Sequence, residues 1–476
     1  MITFLSSILI LILGYVFYGR FVEKAFGPDD RQTAAYKHED GVDYIPMPLW
    51  RVFLIQLLNI AGTGPIFGAL SGAVFGPIVY IWIVFGCIFA GGVHDYMCGM
   101  LSERGNGRSV SEIVGRYLGK KMALIMRIFS VVLLIMCGVV FTKGPAELLA
   151  MITPKVLSAE FWLIIVMAYY FIAVFIPIDK IIGKIYPVFG VCLIFMAVGV
   201  GGVLVTNPNF KMPELWNNFG NQHPSLPWWP FMLITVACGA ISGFHATQSP
   251  LMARCIKEER QGRKVFYGAM ISEGIIALVW AAAGVTCYET RAALQASGMS
   301  SATVFDICMR TMGSIGGVVA LLGVVVCPIS SGDTAYRSAR LTIADWFKID
   351  QSKWLNRLLI TIILLGTGFV ISNLDYRIVW RYCSFSNQTL ATIVLWAETV
   401  YLSSHNKNYF ITLVPAVFMT SVVTTYFLIA DECLAHLGIS HDVGLIISFI
   451  VTLCALGGFM IYRNKKNENH KFLHIF

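Results

Sequence analysis

His245 and Glu273 are ionisable residues set inside long apolar runs, where a charge is costly and marks a side chain with a task. His245 closes the stretch Ala237-Cys-Gly-Ala-Ile-Ser-Gly-Phe-His245. Its imidazole, with an ordinary pKa of about 6.5, suits proton exchange or contact with a substrate carboxylate. The bland alternative is a histidine that only holds unwound backbone. Glu273, in Tyr267-Gly-Ala-Met-Ile-Ser-Glu273, can carry a proton or pair with a cation. A third group lies in Val326-Cys-Pro-Ile-Ser-Ser-Gly-Asp333, where the adjacent hydroxyls of Ser330 and Ser331 and the hard oxygens of Asp333 make a candidate sodium site. Serine and aspartate after a proline also end helices, and Asp333 with Arg337 suits an inter-helix latch.

Two apolar runs are interrupted. One reads Gln56-Leu-Leu-Asn-Ile-Ala-Gly-Thr-Gly-Pro-Ile-Phe-Gly68, the other Ala237 through His245 to Pro250. Glycine and proline there free backbone groups from the helical ladder, which in lipid is tolerated only inside protein or beside a wet cavity. Small residues also let helices pack closely, and for one such run that account would suffice. With two, the candidate substrate ligands are Asn59, Ala61, Gly62, Thr63, Gly64, Gly239, Ser242, Gly243 and His245. Backbone groups come from 61–64 and 239–243, and side chains from Asn59, Thr63, Ser242 and His245.

The rest of the chain says what must carry these residues. Of 476 residues, 57% are hydrophobic and 13% charged, and mean hydropathy is +0.71. A soluble domain carries about 25% charge, so this is an all-α integral membrane protein. Disorder and a small disulfide scaffold are excluded. The net charge of +8 is spread over short segments, which excludes a nucleic-acid partner. Twelve cysteines sit singly with no C-x-x-C, as buried small residues do. The first apolar run, from Ile2, reads as a retained span rather than a signal peptide.

Runs of about twenty apolar residues recur near 2–19, 50–70, 74–98, 122–142, 160–178, 185–205, 228–247, 266–287, 311–331, 355–372, 379–402, 409–430 and 443–462, giving about 13 transmembrane helices. Lys and Arg concentrate in 99–122, 251–266, 334–357 and the tail, so the N-terminus is expected outside and the C-terminus in the cytoplasm. The interrupted spans are second and seventh; an odd offset makes them run in opposite directions. Two inverted five-helix units that each open with a broken helix are a known transporter plan, the LeuT-like 5+5 repeat. The expected units are 1–47 (an extra N-terminal span and cytoplasmic segment), 48–205 (first repeat), 206–227 (extracellular loop), 228–402 (second repeat) and 403–476 (two C-terminal spans and a basic tail).

Other features read as structural. His94 and Asp95 fall at the cytoplasmic end of the third run, where an interfacial role is expected. Glu398 and the Asn387-Gln388 pair read as packing residues. Arg104-Gly-Asn-Gly-Arg-Ser-Val-Ser-Glu112 lacks both the P-loop lysine and a preceding strand, so ATP-driven transport is not expected. Neither H-E-x-x-H, G-x-S-x-G nor closely paired carboxylates are present, against an integral membrane enzyme. A nutrient sensor would want a signalling domain, and a channel repeated filter-like rings. The chemistry favours a symporter for a small anionic or zwitterionic solute. Ser330 and Ser331 argue for sodium, His245 and Glu273 for protons, and no cofactor is called for; coupling ion and oligomeric state stay open.

Several stretches resemble the carbon starvation protein family. They are Gly41-Val-Asp-Tyr-Ile-Pro46, Ala61-Gly-Thr-Gly-Pro-Ile-Phe-Gly68, Gly91-Gly-Val-His-Asp-Tyr96, Gly107-Arg-Ser-Val-Ser-Glu112, Gly239-Ala-Ile-Ser-Gly-Phe-His245 and Asp333-Thr-Ala-Tyr-Arg337, in the family's order. The chain looks like a short member, with Ile55-Gln56 where long members carry a histidine pair. The resemblance implies a multi-pass transporter of the cytoplasmic (inner) membrane, of the amino acid–polyamine–organocation class. It implies peptide uptake during carbon starvation, or proton-coupled uptake of pyruvate or a related monocarboxylate. The first-break glycines, Gly243 to His245 and Asp333 fall on the family's motif positions.

Overall fold

The computed structural model describes residues 1–41, 43–173, 178–351 and 353–473. Its described elements are all helical. Among the described residues, ten helices are long and apolar enough to cross a bilayer, or eleven if the bent pair Leu49–Ala61 and Gly64–Ala73 is one span. Ala159–Ala173 is a shorter apolar helix, and the expected end of that run at 174–177 lies outside the described residues. Tyr376–Ser404 covers the expected 379–402 run.

Burial sorts these helices into a centre and a rim. Trp228–Ala253, Val79–Arg104 and Glu259–Cys287 are 89%, 83% and 78% buried over their most apolar windows. Ile2–Phe26, Trp354–Ser372 and His441–Lys465 are only 28%, 28% and 22% buried, leaving apolar faces for lipid. The central three carry many small residues together with His94, Asp95, His245 and Glu273, as expected where helices pack on helices rather than on acyl chains.

Both sequence interruptions are real breaks. The first bends its helix by 53° between Ala61 and Gly64. Gly62 has φ +31°, and a Cβ there would stand 2.6 Å from the Phe141 ring, so any other residue would be both strained and crowded. The second leaves the helix at Val236, passes Ala237 at φ +43° and re-enters at Gly243. The breaks touch. A Cβ on Gly64 would lie 2.3 Å from Cys238 Cβ, and one on Gly68 would lie 2.6 Å from the Val236 carbonyl and 3.1 Å from that of Thr235. The partner number falls as the glycine number rises, so the segments are antiparallel where they meet.

One expectation of helix termination fails. The run expected to end near residue 331 continues as Ser301–Phe347, through Pro328, Ser330, Ser331 and Asp333, and bends instead at Gly313, with φ +68°. Ser330, Ser331 and Thr334 direct their hydroxyls to carbonyls three or four residues back on the same helix, which satisfies the polar groups without ending it.

At the basic end, connecting segments are knitted together rather than loose. Arg104 Nε donates to Glu259 Oε1 at 2.5 Å, its Nη2 to the Gly27 carbonyl at 2.8 Å, and its guanidinium lies 4.1 Å from the Phe26 ring centroid. The glycine-rich turn after Arg104 is held by Arg254, whose Nε and Nη2 both donate to the Gly107 carbonyl.

Candidate functional site

The site is built where the two breaks cross. His245 is in the first turn after the second break, so its side chain is aimed by backbone that has just re-entered a helix. Its Nδ1 lies 2.8 Å from Asp95 Oδ2, and the other oxygen of Asp95 lies 2.8 Å from His94 Nδ1. On the far side, His245 Nε2 lies 3.2 Å from Glu273 Oε2. All four side chains are fully buried. The result is a continuous line, His94–Asp95–His245–Glu273, drawn from three helices.

Asp95 sets the chemistry of that line. An ionised carboxylate only accepts, so the hydrogens at both 2.8 Å contacts sit on the histidine Nδ1 atoms. Nε2 of His245 is then a bare lone pair when the ring is neutral and an N–H when it is charged. It faces Glu273, whose oxygens make no aligned hydrogen bond among the described residues. Two such acceptors at 3.2 Å are repulsive unless a proton or another cation lies between them. The arrangement can therefore take up and release a cation at one place.

His94 and Asp95, for which the sequence suggests an interfacial role, are both fully buried within the protein. The helix starting at Val79 continues to Arg104, and the extra turns sink 94 and 95 into the interior. Asn387 and Gln388, read as packing residues, do more. Asn387 Oδ1 accepts from the Phe244 backbone N–H at 2.6 Å and from Ser242 Oγ at 3.1 Å, and Gln388 Nε2 donates to the Ile241 carbonyl at 2.8 Å. These are the groups that the second break releases from its helix. Glu398 is fully buried with neither oxygen hydrogen-bonded among the described residues, an unusual state for a residue read as packing.

The remaining candidates separate into two places. Ala61, Gly62, Thr63, Gly64, Gly239, Ser242 and Gly243 are buried at the crossing of the breaks. Asn59 and the nearby Gln56 are buried with both polar side-chain atoms lacking partners among the described residues. Ser331 Oγ donates to the Leu58 carbonyl at 2.7 Å, tying Ser301–Phe347 to the helix just before the first break. Ser330 Oγ turns to the Cys327 carbonyl of its own helix at 2.6 Å, and Asp333 is buried beside them in sequence. Of the aromatic residues near the second break, Trp228 is exposed and Trp229 packs edge-on to Phe418, while Phe244 meets Phe141 at 5.4 Å inside.

Two clefts bear on access. One of about 360 Å³ reaches down to Phe67, just past the first break, and is lined by Ser71, His223, Thr235, Tyr376 and Arg381 among others. The other, about 540 Å³, is lined by apolar residues such as Trp82, Phe85, Phe89 and Phe418 and has no ionisable side chain, so nothing in it would orient a polar nutrient.

The profile of the family described as Carbon starvation protein CstA matches residues 1–159 and 146–297. The chain belongs to the carbon starvation protein family. It is a multi-pass inner-membrane transporter, and its apolar helices fit that setting. A membrane protein of Haemophilus influenzae is 42% identical over 360 residues, covering 65% of this chain and 97% of its own length. The peptide transporter CstA of Bacillus subtilis is 25% identical over 524 residues, 87% of this chain and 88% of that protein. The pyruvate/proton symporter BtsT of Escherichia coli is 25% identical over 343 residues, 58% of this chain; the chain matches only 47% of that longer relative. Among solved structures, the Eremococcus coleocola manganese transporter, in complex with an aromatic bis-isothiourea substituted compound, superposes with a TM-score of 0.56 at 13% identity, covering 90% of this chain and 99% of that one. At that identity the likeness is one of fold.

Proposed function

We propose that the protein is a secondary active transporter that imports small peptides across the cytoplasmic membrane by proton-coupled alternating access, in response to carbon starvation. The observation that carries the coupling is the buried line His94–Asp95–His245–Glu273, which runs through the first turn after the second break. His245 and Glu273 are the proton carriers in this reading, and Asp95 positions His245. Substrate is held by the backbone groups of Ala61 to Gly64 and Gly239 to Gly243, with Asn59, Thr63, Ser242 and His245. Half-helix ends there aim partial charges at a carboxylate or ammonium group.

The architecture that goes with this is a LeuT-like 5+5 inverted repeat. Counting the bent pair as one span, and adding Ala159–Ala173 and Tyr376–Ser404, gives thirteen crossings. The repeats span 48–205 and 228–402, with one span before them and two after. The antiparallel contact of the breaks supports the inversion. The Lys and Arg pattern puts the N-terminus outside and the C-terminus inside.

Pyruvate or another small monocarboxylate is the second substrate reading. It is favoured by the packing of Trp229 against Phe418 and of Phe244 against Phe141, which engages these rings with each other rather than with a larger substrate side chain. Sodium is the second coupling reading, supported by Ser331 reaching the Leu58 carbonyl beside Ser330 and Asp333.

Purified protein in liposomes decides among these, with labelled dipeptide and labelled pyruvate offered under separate proton and sodium gradients. Accumulation of dipeptide that needs the proton gradient and is lost in His245→Ala is the expected result. Accumulation that follows the sodium gradient and is lost in Ser331→Ala would replace it.

A further inference from the structure

Cys238, which neither proton transfer nor substrate binding uses, completes a set of donors with His245 and Glu273. One ligand atom from each of Cys238, His245 and Glu273 lies within 4.8 Å of the others, and all three side chains are buried. Neither His245 Nε2 nor the Glu273 oxygens has an aligned hydrogen-bond partner among the described residues. The contact of Asp95 with Nδ1 at 2.8 Å fixes the tautomer that turns the Nε2 lone pair toward Glu273. A carboxylate behind a histidine whose other nitrogen faces outward is the usual outer support of a metal ligand. Cys238 is held in place too: Asn387 Nδ2 donates to its sulfur at 3.3 Å, and Ser242 Oγ lies 3.2 Å from it.

We propose that Cys238, His245 Nε2 and Glu273 bind a soft divalent cation of the zinc type. Thiolate, imidazole and carboxylate together select such an ion over magnesium or calcium, which want oxygen alone. Three protein ligands leave a fourth position open for water or an anionic group. The three residues come from the second break, the half-helix after it and Glu259–Cys287. A bound ion would tie the break to that neighbouring helix and oppose any movement of one against the other. Zinc therefore acts as an inhibitor that competes with the cation already inferred between His245 and Glu273.

The test uses the untagged full chain in detergent, loaded with zinc and freed of excess. X-ray absorption at the zinc edge is expected to give one sulfur at about 2.3 Å with nitrogen and oxygen neighbours at about 2.0–2.1 Å. In Cys238→Ser the sulfur signal disappears and zinc affinity falls at least tenfold. Liposome uptake by the wild type falls on zinc loading and returns with a chelator, whereas Cys238→Ser keeps transporting. A spectrum without sulfur, or a sulfur signal that persists in Cys238→Ser, overturns the proposal. Cys137 and Cys383, whose sulfurs are 3.2 Å apart, are the competing site. If Cys238→Ser does not fold, Cys137→Ser decides, because the site requires its sulfur signal to be retained. Binding is read without substrate, so its failure leaves the transport reading untouched.

Discussion

Asp95 holds two imidazoles at once, and that makes it the residue whose loss should be read most sharply. In Asp95→Asn the amide can still accept one hydrogen bond but no longer carries the charge that fixes both rings. Proton-driven accumulation is expected to fall at least tenfold while substrate counterflow, which needs no net proton movement, is retained. A variant that loses both equally would make Asp95 a purely structural residue. Asp95→Ala is expected to lower stability by about 3–5 kcal/mol, the scale for removing one partner of a buried pair, read as a drop in the thermal midpoint in detergent. His245 and Glu273 were legible in the sequence because each is alone in an apolar run. His94 and Asp95 were not. They precede Tyr96-Met-Cys-Gly-Met100, a stretch of only moderate hydropathy that looks like the exit from a membrane, and only the packing of Val79–Arg104 in the molecular centre puts them inside. Cys238 was hidden for a different reason: its partners are 7 and 35 residues away, and no local spacing announces them.

Between residue and molecule, the elements that matter are those that support broken backbone. Tyr376–Ser404 does this for the second break through Asn387, which accepts from Phe244 N–H and Ser242 Oγ and donates to Cys238. Asn387→Ala leaves buried donors unmet, at about 1–3 kcal/mol each. The expected result is a raised KM with a lower thermal midpoint, whereas Gln388→Ala, which frees one carbonyl at Ile241, should have the smaller effect. The breaks themselves were readable from glycine and proline, but their supports were not, since Asn387 and Gln388 lie in an ordinary helical run. The reverse error occurred at Ser330 to Asp333, where residue types that end helices sit mid-helix because their hydroxyls fold back onto it. At the opposite end from Arg104, Glu214 ties the loop 206–227 to the first helix by accepting from the Ile2 and Thr3 N–H groups at 2.9 and 2.8 Å. Burial pushes its carboxyl up, but the terminal ammonium and the Thr3 and Ile2 hydrogen bonds outweigh this and hold it at about 2. A depressed carboxylate contributes fully above its free value of 4.5, and that contribution is lost as pH falls toward about 2. Hydrogen exchange of the first-turn amides, corrected for intrinsic rate, should accordingly show protection at pH 6 that is lost by pH 2.

For the molecule as a whole, the two ends differ in kind, and the difference has a direction. At the basic end Arg104, Glu259 and Arg254 tie the connecting segments together, while the cleft that reaches Phe67 lies at the other end. In the proposed orientation, with the basic end in the cytoplasm, that cleft is the entry path from outside, and Arg381 stands on its wall. Arg381 is half-exposed and lies 3.6 Å from Glu432, so it can pair with an arriving carboxylate without leaving the wall. Such a charge acts on encounter more than on grip, and its effect is screened over a Debye length of about 8–10 Å at 0.1–0.15 M salt. Arg381→Gln is therefore expected to raise KM for an anionic substrate several-fold at low ionic strength with little change in kcat, and the deficit should shrink as salt is added. Uptake of a substrate without net negative charge should change less. The same variant thus reports on substrate class from outside the binding site: an equal, salt-independent deficit for both solutes would remove the cleft from the entry path. The direction is checked separately with a fluorescent protein fused to the C-terminus, which is expected to fold and fluoresce on the cytoplasmic side; a dark fusion would reverse the polarity on which the entry path rests.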